Sequence, residues 1–180
     1  MADRRDPIRA LSLFLPEAYE IAAAAAPWGR ITFGDIGISP GSRNTVPESL
    51  CLSIDMRHPD QQTLDRMDAH LRVLLSGIDQ AGTRSTLTEI WHSPAVAFDP
   101  RCIAAVRQAA ANLERPAMDI VSGAGHDSVY VSRVAPTAMI FIPCKNGLSH
   151  NEAESVTEVD VAAGGDVLLG AVLALDAEPD

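Results

Sequence analysis

The chain has 180 residues, with 14 Lys+Arg against 24 Asp+Glu and a formal net charge of −10. That balance disfavours a phosphate-tracking nucleic-acid binder, which needs a basic footprint. A composition 47% hydrophobic and 21% charged is that of a globular chain of one domain or two small ones, not of a disordered one.

The first element reads as a helix over residues 6–26. Asp6 suits the N-cap and Pro7 the first helical position. Ile8, Leu11, Leu15, Ala18 and Ala22 form an apolar stripe, and Pro16 predicts a kink or break. The same stretch mimics a secretory signal weakly. Pro16, Glu17 and Glu20 interrupt it, so a cytoplasmic location is expected. No apolar run reaches the roughly 18 residues of a membrane span.

Residues 30–38 read as a strand with a candidate bulge at Gly34-Asp35, followed by a turn over 39–44. The next strand alternates cleanly: Leu50, Leu52, Ile54 and Met56 face one way, Cys51, Ser53, Asp55 and Arg57 the other. A second helix carries Leu64, Met67, Leu71, Leu74, Leu75 and Ile78 on one face, and a further strand is expected over 85–92. This order describes an antiparallel sheet with two helices on one face, an α+β layer.

Pro94 and Pro100 bracket the expected boundary. Beyond it come a helix over 100–114, a strand over 118–121, a short helix, a strand over 137–142 and a last helix. Thr157 caps that helix, and its expected buried face is Val161, Leu168, Val172 and Leu175. Strands alternating with helices imply a βαβα piece of a larger, mostly parallel sheet, so the fold class is α/β with an α+β layer in front.

Three widely spaced cysteines, Cys51, Cys102 and Cys144, contain no C-x-x-C pair and read as reduced thiols. Residues 122–127, Ser-Gly-Ala-Gly-His-Asp, follow an expected strand and open a helix. Both a tight structural turn and a ligand-cradling loop fit them, and His126 is a turn histidine or a ligand. Residues 147–154 follow the last expected strand, at the edge where open α/β sheets bind ligands. His150 there is a surface histidine or a donor to a divalent transition metal. Arg57 either pairs with Asp55 or Asp60 or holds a carboxylate bidentately, and Asn44 could serve a urea-like group.

In order, Arg4-Arg5-Asp6, Phe33-Gly34, residues 40–47, Asp55-Met56-Arg57-His58-Pro59-Asp60, residues 122–127 and residues 147–154 resemble the N-carbamoyl-L-amino acid hydrolases, allantoate amidohydrolases and β-ureidopropionases. These form a branch of the zinc aminoacylase and carboxypeptidase superfamily. The resemblance runs over nearly the whole chain. It implies that residues 1–95 are a lid, or dimerisation, domain lacking its first strand, and that 96–180 are the C-terminal part of the catalytic domain. In such enzymes a pair of zinc or manganese ions polarises the scissile carbonyl and activates a bridging water, with a glutamate as general base. The resemblance makes His150 a metal ligand, and Asn44, Arg57, Gly125 and His126 substrate contacts, with Arg57 on the substrate carboxylate.

The family's remaining metal ligands and its catalytic base belong to segments that would precede Met1, so the resemblance assigns no catalytic residue to this chain. Glu48-Ser49 also replaces a glycine expected after Pro47. A catalytic zinc site usually takes three protein ligands, and one is supported here. The expectation is therefore a hydrolase portion acting on a small ureido substrate, inactive alone and completed by an N-terminal catalytic part. The alternatives are a non-catalytic module that homodimerises through its lid, or a remnant without function.

Overall fold

The computed structural model describes residues 4–80 and 82–177, and the chain divides into two compact units, Met1–Ala95 and Val96–Asp180. In the first unit, α1 (Pro7–Ala24) starts at Asp6, whose Oδ1 accepts the Ile8 N–H at 3.0 Å, with Pro7 in the first turn. Pro16 stays inside this single helix. A proline in a helix interior costs about 3 kcal/mol, and here Phe14 and Ala18 lie buried on either side of it. Tertiary burial outweighs the lost hydrogen bond.

The two strands expected over 30–38 and 50–57 are each broken in the middle. β1 (Arg30–Thr32) pairs antiparallel with β4 (Asp55–Arg57), and β2 (Ile36–Ser39) with β3 (Ser49–Leu52). Between the two ladders the Ser53 N–H still donates to Asp35 O at 3.0 Å, so a ribbon continues across the break. Ile31, Phe33, Leu52, Ile54 and Met56 pack against Phe14, Ala18 and Leu71, the last from α2 (Gln61–Gln80). Leu74, Leu75 and Ile78 join that core, as the apolar face of α2 predicts.

The strand expected over 85–92 is not formed: this stretch makes no ladder with any described strand. Its start is tied to α2 through a side chain, Ser85 Oγ donating to Leu75 O at 3.4 Å, and just before it Thr83 Oγ1 donates to Ile78 O at 3.1 Å. An alternating pattern specifies which face is buried, but a strand also needs a backbone neighbour.

In the second unit, Asp99 caps α3 (Pro100–Asn112), accepting from the N–H groups of Arg101 at 2.8 Å and Cys102 at 3.1 Å. Thr157 caps α5 (Glu158–Asp176) by accepting the Asp160 N–H at 3.1 Å. Between them lie α4 (Ser128–Val131) and a 3₁₀ turn (Lys145–Gly147). The core joins Ala105, Ala109 and Ala110 of α3 to Val167 and Ala171 of α5, with Val106, Ile140 and Leu175 against it. The face expected to be buried on α5 is corrected, because Val161, Leu168 and Val172 are each about half exposed. A helix apolar on nearly every side offers periodicity no unique face. Small residues decide the contact: a Cβ on Gly170 would stand 3.1 Å from the Ala109 Cβ.

The strands expected over 118–121 and 137–142 are likewise absent as ladders among the described residues. The first run is held by an Arg107–Asp119 ion pair and leaves Met118 82% exposed. The second meets α3's cap through Asp99 N–H to Thr137 O, 3.0 Å. The expected βαβα sheet is therefore not formed among the described residues, where helices are joined by apolar runs outside any ladder. The architecture is mixed α/β, with five α-helices and two small antiparallel sheets among the described residues. No helix is long and apolar enough to cross a membrane among the described residues.

Candidate functional site

In the first unit the candidate residues flank the ribbon. Arg57 closes β4, with Arg30 as its Cα partner. Its Nε donates to Asp55 Oδ1 at 2.6 Å and its Nη2 to Asp55 Oδ2 at 3.2 Å. Residues i and i+2 share a strand face, which is why these two meet. Both side chains are nearly half exposed, and the hydrogen bond to Asp55 pushes the guanidinium pKa further up.

Of the two carboxylates considered for Arg57, Asp55 is the one that forms this fork. Asp60 caps α2 instead, its Oδ2 accepting the Thr63 N–H at 2.8 Å and the Thr63 hydroxyl at 2.7 Å. These bonds, the hydroxyl's first, hold the Asp60 carboxyl below its ordinary pKa.

Asn44 lies in the turn beyond the Ser39–Ser49 pair, and its Oδ1 accepts the Ser42 hydroxyl at 3.1 Å. An open cleft of about 360 Å³ beside this turn is lined by Arg4, Asp6, Ile8, Ile38, Ser42 and Thr45, among others. By register, Asn44 and Arg57 belong to opposite ends of the ribbon: Ser39–Ser49 is the pair next to the turn and Arg30–Arg57 the pair furthest from it.

In the second unit the loop over 122–127 is a hydroxyl-closed turn: Ser122 Oγ donates to Ala124 O at 3.2 Å and accepts the Ala124 N–H at 3.4 Å. The Ser128 N–H donates to His126 Nδ1 at 3.0 Å, which leaves Nε2 to carry the proton of a neutral ring. A Cβ on Gly125 would meet no heavy atom within 4 Å. The chain's own packing thus leaves open space at the exposed Gly125. The helix that follows, α4, is only four residues long, and Asp127 makes no side-chain cap bond.

His150 sits exposed in the loop after the 3₁₀ turn with φ 55, a left-handed conformation uncommon outside glycine. Its N–H donates to Glu154 Oε2 at 2.8 Å. Among the described residues no group of three or more His, Cys, Asp or Glu side chains could hold a divalent metal. A single imidazole falls short of the usual three protein ligands, so the described residues do not by themselves fit such an ion.

The pairing of Arg57 with Asp55, one of the alternatives the sequence offered, is the one that forms. One side chain escaped the sequence reading. Glu154 holds His150, and only a loop that turns back on itself brings residues four apart together outside a helix.

Residues 15–174 match the profile of peptidase family M20/M25/M40. The chain belongs to that family and to its N-carbamoyl-L-amino acid hydrolase and allantoate amidohydrolase branch. It is 43% identical over 141 residues to the N-carbamoyl-L-amino-acid amidohydrolase of Rhizobium meliloti, which covers 78% of this chain and 34% of that protein. It is 32% identical over 170 residues to the allantoate amidohydrolase of Bacillus subtilis (strain 168), covering 92% of this chain and 41% of that one. A solved amidase of the hydantoinase/carbamoylase family from Burkholderia multivorans superposes with a TM-score of 0.93 at 42% identity, over 100% of this chain and 44% of the other. The chain thus spans less than half the length of these relatives.

Proposed function

We propose that this chain is the C-terminal portion of a divalent-metal amidohydrolase that cleaves C–N bonds in N-carbamoyl amino acids or allantoate. In this reading His150 is one metal donor, Arg57 takes the substrate carboxylate, Asn44 and His126 take the ureido group, and Gly125 lets the loop backbone approach it. The metal, zinc or manganese, supplies Lewis-acid polarisation when bound. The chain's own residues bind and orient. Residues 1–95 act as a lid that also dimerises, and 96–180 as part of a cytoplasmic catalytic domain whose unpaired runs gain neighbours from the remainder. The observation that carries the reading is the family match over residues 15–174, joined to motifs that hold His150, Gly125, Asn44 and Arg57 in family order.

The test is hydrolysis of N-carbamoyl-L-amino acids and of allantoate by this chain joined to the preceding portion of the Rhizobium meliloti relative, with zinc or manganese added. Turnover of either substrate is expected from the joined protein. Its absence from a folded, metal-loaded joined protein sinks the reading.

The shortage of metal donors among the described residues favours one second reading, a module that dimerises through residues 1–95 without catalysis. Light scattering of the chain at micromolar concentration then gives a dimer, and a strict monomer excludes it.

A further inference from the structure

The loop that carries His150 is closed on itself. The Lys145 N–H donates to Ser155 O at 2.8 Å and joins the two ends. Inside, Asn151 turns the chain: its carbonyl accepts the Glu154 N–H at 2.9 Å and its Oδ1 the Ala153 N–H at 2.9 Å, an arrangement typical of Asx turns. His150 within this loop adopts φ 55, a conformation that a non-glycine residue keeps only when its surroundings impose it.

The imposing group is one carboxylate. Glu154 Oε2 accepts the His150 N–H at 2.8 Å, and Oε1 accepts the Cys144 thiol at 3.7 Å. A hydrogen bond to an ionised acceptor is about twice as strong as one between neutral groups. Both oxygens are engaged within the loop, so Glu154 bridges the start of the loop to the histidine.

We propose that Glu154 is the positioning residue of His150. It clamps the His150 backbone in its left-handed state and thereby sets the direction in which the imidazole leaves the chain. Glu154 touches neither substrate nor metal in this account. The proposal deepens the reading of His150 as a donor and rests on it for its functional meaning.

The experiment is nuclear magnetic resonance on the isotope-labelled 180-residue chain, comparing wild type with Glu154→Ala and Glu154→Gln. In Glu154→Ala the His150 amide is expected to exchange with solvent at least about tenfold faster, while the α5 amides and the thermal midpoint stay put. Glu154→Gln, which keeps one acceptor oxygen, restores most of the protection. Unchanged exchange at His150 in Glu154→Ala overturns the proposal. So does a change that spreads equally through α5, or a Gln variant no better than Ala. The underlying reading is checked apart from this, by His150→Ala in the joined hydrolase: full activity there removes the donor role of His150 but leaves the exchange result standing.

Discussion

Arg57 and Asp55 form a two-point fork on the open face of β4, with Nε 2.6 Å from Oδ1 and Nη2 3.2 Å from Oδ2. A substrate carboxylate that takes Arg57 must compete with this fork. An exposed pair of this kind is worth about 0–1 kcal/mol, which leaves the guanidinium recruitable. Asp55→Asn in the joined hydrolase is therefore expected to lower KM for carboxylate substrates by up to about fivefold, the equivalent of that energy. Thermal stability should move by less than about 1 kcal/mol. A raised KM would show that Asp55 orients Arg57 for substrate instead of competing with it.

The helix caps set an acid limit on stability. Asp60 is held below its ordinary value of 3.8 by the Thr63 hydroxyl and N–H, and Asp99 by the N–H groups of Cys102 and Arg101. For groups depressed in the folded state, the stabilisation is fully present above the unfolded pKa and is lost as pH falls through the folded values. Thermal midpoints should lose this contribution only as pH drops below about 3.8, the unfolded reference. Asp60→Asn with Asp99→Asn keeps side-chain acceptors for capping and removes the titration, so its midpoint should fall less steeply in that window. A parallel fall in both proteins would refute the assignment.

Two neighbouring glycines in α5 should respond oppositely to alanine. A Cβ on Gly165 meets nothing within 4 Å, whereas one on Gly164 would stand 2.6 Å from Ile142 Cγ2. Alanine in a helix interior gains about 1 kcal/mol over glycine. Overpacking costs about 1–3 kcal/mol and cancels or reverses that gain at position 164. Chemical denaturation of Gly165→Ala and Gly164→Ala should rank them above and below each other in that order, and the reverse ranking would contradict the packing of residues 137–142 on α5.

Leu71 is 2% exposed at the centre of the first unit, whereas Val73 on the same helix is 69% exposed. Leu71→Ala is expected to cost about 2–5 kcal/mol, and Val73→Ala to stay within about 0.5 kcal/mol. Urea unfolding followed by far-ultraviolet circular dichroism measures both. A mild Leu71→Ala would deny this residue its place in the core.

Elements with a local cause were the most legible. Asp6-Pro7 and Thr157 announce the starts of α1 and α5, and the stripe through Met67, Leu71 and Ile78 reports the buried face of α2. Elements whose cause is non-local were not. Residues 85–92, 118–121 and 137–142 have the composition of strands but join no ladder among the described residues, and no local pattern can reveal that. The buried face of α5 was obscured by its apolar residues on all sides, until Ala109 and Gly170 chose it by close approach. At the site, the motifs singled out His150, Gly125 and Arg57, and Asp55 was already a candidate partner of Arg57, while the hold of Glu154 on His150 emerged only from the folded backbone.

Among the described residues no three donors converge to retain a metal. Elemental analysis of the purified 180-residue chain, after dialysis against buffer without added zinc or manganese, measures whether the chain holds one alone. Well below one ion per chain is expected, and one or two tightly held ions per chain would contradict the shortage of donors around His150.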